Sequence, residues 1–103
     1  MSRTCILFPV LAAALLLASP AHAEDAMIRA CTASPSDLPA QKCQCFSHEL
    51  RKVLSADEMR IEILSFQGKF NELRRKIADM GTEKGDDFTR RVASVVKGPV
   101  CNR

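Results

Sequence analysis

The chain has 103 residues, 47% of them apolar and 26% charged, with a formal net charge of +3. That length holds a single domain, and so small a basic excess does not imply nucleic-acid binding, which is not expected. Tryptophan and tyrosine are absent, no stretch is low in complexity or repeated, and five cysteines stand beside only two histidines.

Residues 1–23 read as a secretory signal peptide. Arg3 supplies a short charged start, Cys5 to Ala18 is an uncharged run rich in Leu and Ala, and Ala21-His22-Ala23 is a small-x-small cleavage pattern followed by Glu24 and Asp25. The apolar run falls short of the roughly 20 residues that a spanning helix needs. Cleavage is expected between Ala23 and Glu24, leaving one domain over residues 24–103 in the periplasm or outside the cell. Arg3, Cys5 and His22 leave with the leader. The mature chain then carries a net charge of +2, one histidine (His48) and four cysteines, Cys31, Cys43, Cys45 and Cys101.

The mature segment opens with a short helical stretch over 24–32 that places Met27, Ile28 and Cys31 on one side. Thr32 to Pro39, with Ser34-Pro35-Ser36-Asp37, is a loop. From Ala40 to Leu54 the apolar positions Cys43, Phe46, Leu50, Val53 and Leu54 recur at three and four, one face of a helix. Ser55-Ala56-Asp57-Glu58 is a capping box that starts the next helix. Its stripe of Met59, Ile63, Phe66, Phe70, Leu73, Ile77 and Met80 keeps a heptad spacing up to Gly81. Gly68 lies opposite that seam and is expected to bend the long helix rather than stop it. Thr82 to Asp87 is polar, and Phe88, Val92, Val95 and Val96 define a last helix that Gly98-Pro99 ends. The expected fold is all-α: a small disulfide-stapled bundle of three main helices plus a short N-terminal one.

A domain this small buries little core, and exported domains of its size compensate with disulfides. On a helix Cys43 points inward with Phe46 and Leu50, and Cys45 points away. A returning tail would meet the inner cysteine and an outlying N-terminal segment the outer one, which favours Cys43–Cys101 with Cys31–Cys45. Cys31–Cys43 with Cys45–Cys101 stays open as the alternative.

Over residues 28–60, the order of Cys31, a Cys43-x-Cys45 helix start and the Ser-x-x-Glu helix resembles small exported bacterial Cys-x-Cys helical proteins of unknown function. The resemblance implies no activity, cofactor or partner.

The pattern contains no H-E-x-x-H, G-x-S-x-G or phosphate-loop motif, and the acidic pairs Asp57/Glu58 and Asp86/Asp87 both serve helix starts. The chain is therefore expected to be no enzyme and to need no cofactor or metal. It reads as an exported interaction module. Lys69, Arg74, Arg75 and Lys76 in the second half of the long helix are the candidate partner-binding residues, suited to a protein partner with an acidic surface or to anionic lipid headgroups. Like charges flanking the seam oppose self-pairing, so a monomer is expected. The alternative function is soft-metal, Cu(I), binding by Cys43, Cys45 and His48, with a methionine such as Met27 or Met59.

Overall fold

The computed structural model describes residues 20–103, so most of the expected leader, residues 1–19, lies outside the described residues. The described chain is helical throughout: α1 (Pro20–Thr32), α2 (Ala40–Val53), α3 (Ala56–Phe66), α4 (Phe70–Asp79) and α5 (Thr82–Val96), with no strand among the described residues. The all-α class is as the sequence predicts. The helix count is corrected: four helices follow α1, not three. No helix among the described residues is long and apolar enough to cross a membrane.

The extra helix arises at Gly68, which stops α3 instead of bending it. Its φ is +74°, a region that glycine enters without a Cβ penalty. The Gly68 amide donates to the Ser65 carbonyl at 3.1 Å, and the Lys69 amide donates to the Leu64 carbonyl at 2.9 Å. These are the two bonds of a Schellman motif, which satisfies the last carbonyls of a helix and ends it. The apolar spacing continues beyond Gly68, but the helix axis does not. The seam is split accordingly: Met59 is fully buried, whereas Phe70 is 54% exposed.

The last helix begins at Thr82, earlier than the polar composition of 82–87 suggests. Gly85 within that stretch is buried against α4. A Cβ there would lie 3.0 Å from both Cγ2 and the carbonyl oxygen of Ile77, so a glycine is what lets α4 and α5 approach at this point.

The core lies between α1, α2 and α3. Ala23, Met27 and Cys31 of α1, spaced by four, meet Cys43, Phe46 and Leu50 of α2, with Leu54 and Met59 beneath them and Phe88 of α5 closing the end. Phe46 and Phe66 sit with ring centroids 6.4 Å apart, tying α2 to α3. Ser47, fully buried, donates to the Glu24 carbonyl at 2.9 Å. Helix α1 is therefore longer than its expected 24–32 and central rather than peripheral. The Ala23–Glu24 bond, the expected cleavage point, lies within it.

That position of α1 corrects the disulfide pairing. The bridges are Cys31–Cys43 and Cys45–Cys101. The helix phase of the two α2 cysteines is as expected: Cys43 is wholly buried and Cys45 only partly. What differs is which segment lies on which side. Because α1 packs inside, its Cys31 meets the inner Cys43, and the tail after Pro99 crosses the outer side to Cys45.

The bridges span sequence separations of 12 and 56, and loops of these sizes stabilise by about 3 and about 4 kcal/mol in the chain-entropy model. Cys31 and Cys43 are both fully buried, whereas Cys45 is partly exposed. Mild reduction followed by alkylation and peptide mapping should therefore label Cys45 and Cys101 first, with Cys31–Cys43 opening only as the protein unfolds. Simultaneous labelling of all four would contradict this order.

Burial likewise ranks two core-type substitutions. Leu50 is fully buried, so Leu50→Ala should cost about 2–5 kcal/mol in denaturant unfolding. Phe70 is more than half exposed, so Phe70→Ala should cost less than about 1 kcal/mol. Equal losses would show that the α3 and α4 seams are continuous after all.

Candidate functional site

Two arrangements on α3, α4 and α5 carry unusual chemistry, and both are built on carboxylates of α3. The first is at its N-terminus. The capping box forms as the sequence predicts: the Ser55 amide donates to Glu58 Oε1 at 2.9 Å, and the Glu58 amide donates to Ser55 Oγ at 3.1 Å. The same carboxylate accepts two bonds from Arg91 of α5, Nη1 to Oε1 at 2.9 Å and Nη2 to Oε2 at 2.7 Å. Arg91 also donates from Nη1 to the Val53 carbonyl at 2.7 Å and from Nε to Asp87 Oδ2 at 2.9 Å. One guanidinium thus joins the end of α2, the start of α3 and the side of α5. The Arg91 hydrogen bonds, with the Ser55 amide adding to them, hold the Glu58 carboxyl at about 2. Glu58 in turn raises Arg91. A fork of this kind gives fixed geometry as well as energy.

The second arrangement lies one turn further along α3. Glu62 stands three residues after Met59 and four before Phe66, on the same inward face, and is 5% exposed. No described donor or cation reaches its carboxyl. Burial alone pushes it up to about 7, the direction that desolvation imposes on an acid. It lines a cleft of about 260 Å³ between α3, α4 and α5, walled by Leu73 and Ile77 on one side and Phe88, Val92 and Val96 on the other. Ser65, Thr89, Ala93 and Lys97 complete the lining.

The wall formed by α4 has no buried residue at all. Leu73 and Ile77 are half-buried over the cleft, Glu72 is half-buried as well, and the other residues of the helix are exposed. The predicted partner-binding residues Lys69, Arg74, Arg75 and Lys76 are all exposed. None of them forms a salt bridge among the described residues. Arg74 donates to the side-chain oxygen of Asn71. Phe70, exposed at the start of the same helix, joins them. Sequence periodicity had assigned Phe70 to the core, so the aromatic member of this surface was missed.

The copper-ligand set is not assembled. Cys43 and Cys45 are consumed in separate disulfides, so neither offers a thiolate. His48 lies exposed, its Nδ1 3.8 Å from Glu24 Oε1, and Met27 and Met59 are both wholly buried in the core. Glu24 also accepts from Arg51 at 3.1 Å, which makes this cluster a strap between α1 and α2.

The two α3 carboxylates predict opposite pH slopes. Glu62 loses its proton near 4.5 in the unfolded chain but near 7 in the folded one. The folded state therefore holds the extra proton between those values. Stability falls as pH rises through that window, by up to about 3 kcal/mol at about 1.4 kcal/mol per unit, and then levels off. Glu58, held low, contributes stability above its ordinary 4.5 that is lost as pH falls toward 2. Urea unfolding from pH 4 to pH 8 should show a decline that Glu62→Gln removes, with the variant the more stable protein at pH 8. A variant that tracks the parent across this range would mean Glu62 is paired or hydrated.

No protein-family model matches the chain, and comparison with curated proteins and with solved structures finds no match.

Proposed function

We propose that the mature chain is an exported interaction module, without catalytic activity of its own, that uses the outer face of α4 to engage an acidic surface on a partner protein. The observation that carries this reading is the state of that helix. It buries none of its residues, and its Arg74, Arg75 and Lys76, with Lys69 just before it, stand without a salt-bridge partner among the described residues, beside a Phe70 that is 54% exposed. Interface anchors are characteristically aromatic and arginine side chains, and a cationic excess speeds the approach of an acidic partner and aligns it on docking. Glu72 and Asp79 lie beside Arg75 and Lys76, so the excess on this helix is partial.

Export belongs to the same proposal. Two disulfides suit an oxidising compartment, and the leader pattern of residues 1–23 supplies the route, with Glu24 as the mature N-terminus. The bridges and the Arg91 fork give a rigid frame, so α4 meets its partner with little to order on binding. The mature protein acts as a monomer in this reading.

A photo-crosslinking residue in place of Phe70, in protein exported by living cells, tests the assignment. It should trap one protein partner whose contact region is acidic. The yield should fall at least fivefold when Lys69, Arg74, Arg75 and Lys76 are all alanine. Crosslinks to phospholipid in place of protein, or an undiminished yield in the fourfold variant, would overturn it.

A further inference from the structure

The cleft beneath α4 is a separate feature, lined on that helix by Leu73 and Ile77 and by none of the four cationic residues. Glu62 lines it: the residue is only 5% exposed, no described donor reaches its carboxyl, and the carboxyl oxygens keep a little contact with the solvent of the cleft. The other buried polar side chain of the core, Ser47, does have a partner, the Glu24 carbonyl. A buried acid without a counter-charge is costly to a fold, and an apolar residue of similar volume in its place is commonly stabilising. The walls around Glu62 are mostly apolar, with Ser65 and Thr89 as their neutral polar members, and only one other charged residue, Lys97, lines the cleft. Lys97 is exposed, so its ammonium stays in water at the rim.

These features select a ligand. At about 260 Å³ the cleft is slightly smaller than the roughly 300–1,000 Å³ of ordinary small-molecule sites, so the ligand is short. An anion would meet the Glu62 carboxylate and be repelled. An alcohol would offer one hydrogen bond and no charge. A primary ammonium offers three donors to an acceptor-only group and supplies the missing counter-charge. A hydrocarbon chain attached to it would cover Leu73, Ile77, Val92 and Val96.

We propose that this cleft is a binding site for a small primary alkylammonium ion, with the ammonium seated on the Glu62 carboxylate and the hydrocarbon chain lying between the apolar faces of α4 and α5. Binding requires the ionised carboxylate, so affinity rises with pH as Glu62 loses its proton. Lys97 is the one charged group opposing the ligand, and it does so from the hydrated rim.

Titration of the oxidised full-length mature protein with n-hexylammonium, followed by methyl NMR, tests the site. At pH 8 the methyl signals of Leu73, Ile77 and Val92 should shift saturably. Hexylammonium should bind at least tenfold more tightly than hexanol, and hexanoate should not bind. Affinity should drop by nearly a hundredfold at pH 5, where only about 1% of a carboxyl titrating near 7 is ionised. Glu62→Gln, its fold checked by circular dichroism, should lose at least tenfold. Ala93→Leu, which narrows the cleft and keeps the acid, should weaken binding as well and decides the matter should the Glu62 variant misfold. The proposal is overturned if no probe shifts those methyls saturably, if hexanol binds as tightly as hexylammonium, or if both variants bind like the parent.

Discussion

Everything in this structure hangs on α2 and its two cysteines. Residues two apart on a helix point about 200° away from each other, so Cys43 and Cys45 grip opposite sides. Cys43 fastens α1, and Cys45 fastens the tail that follows α5. One helix thereby holds both ends of the described chain. The core that forms between them is small: Met27, Phe46, Leu50, Leu54, Met59 and Phe88 are its large members. A core of that size leaves a narrow margin over chain entropy, and the bridges make up the difference by restricting the unfolded chain. Arg91 then sets the angle of α5 by binding the corner between α2 and α3.

Glu58 and Glu62 show how one helix gives the same side chain two fates. They are four residues apart and both turn toward α5. Opposite Glu58, α5 presents Arg91. One turn further on, α5 presents Val92 and Val96 to the cleft, and Lys97 stays outside it. The first acid is ion-paired and held down, and the second is desolvated and pushed up. Position along α5, more than burial alone, separates them: a cation where valine stands would have made both into structural ion pairs.

Much of the framework was legible in the sequence, and the failures have identifiable causes. The capping box at Ser55 marked the start of α3 because its two reciprocal bonds need only residues three apart. The inward phase of Cys43 followed from its spacing to Phe46 and Leu50. The pairing did not follow, since helix phase says which way a cysteine faces but not which segment lies there. Gly68 was read as a bend because the heptad spacing runs through it. The spacing constrains only the register in which helix resumes, and a positive-φ glycine with two capping bonds can interrupt the axis without disturbing it. Phe70 was misplaced for the same reason. Glu62 was present in the pattern, between Met59 and Phe66 at steps of three and four, but an acid on an apolar face gives no sign of whether a cation from elsewhere will meet it. Arg91 lies 33 residues from Glu58, and no local rule links them.

The break at Gly68 has a further consequence. Had α3 and α4 formed one straight helix, the seam would have run continuously along α5, and Phe70, Leu73 and Ile77 would have closed over Glu62. With the axis interrupted at Gly68 and again at Gly81, where φ is +90°, α4 becomes a short segment held by its two junctions and by the contact of Ile77 with Gly85. Its inner side chains wall the cleft incompletely and its outer ones stay in water. The exposed cationic residues and the open cleft thus share one origin, a glycine that ends α3 about three turns before the apolar stripe ends.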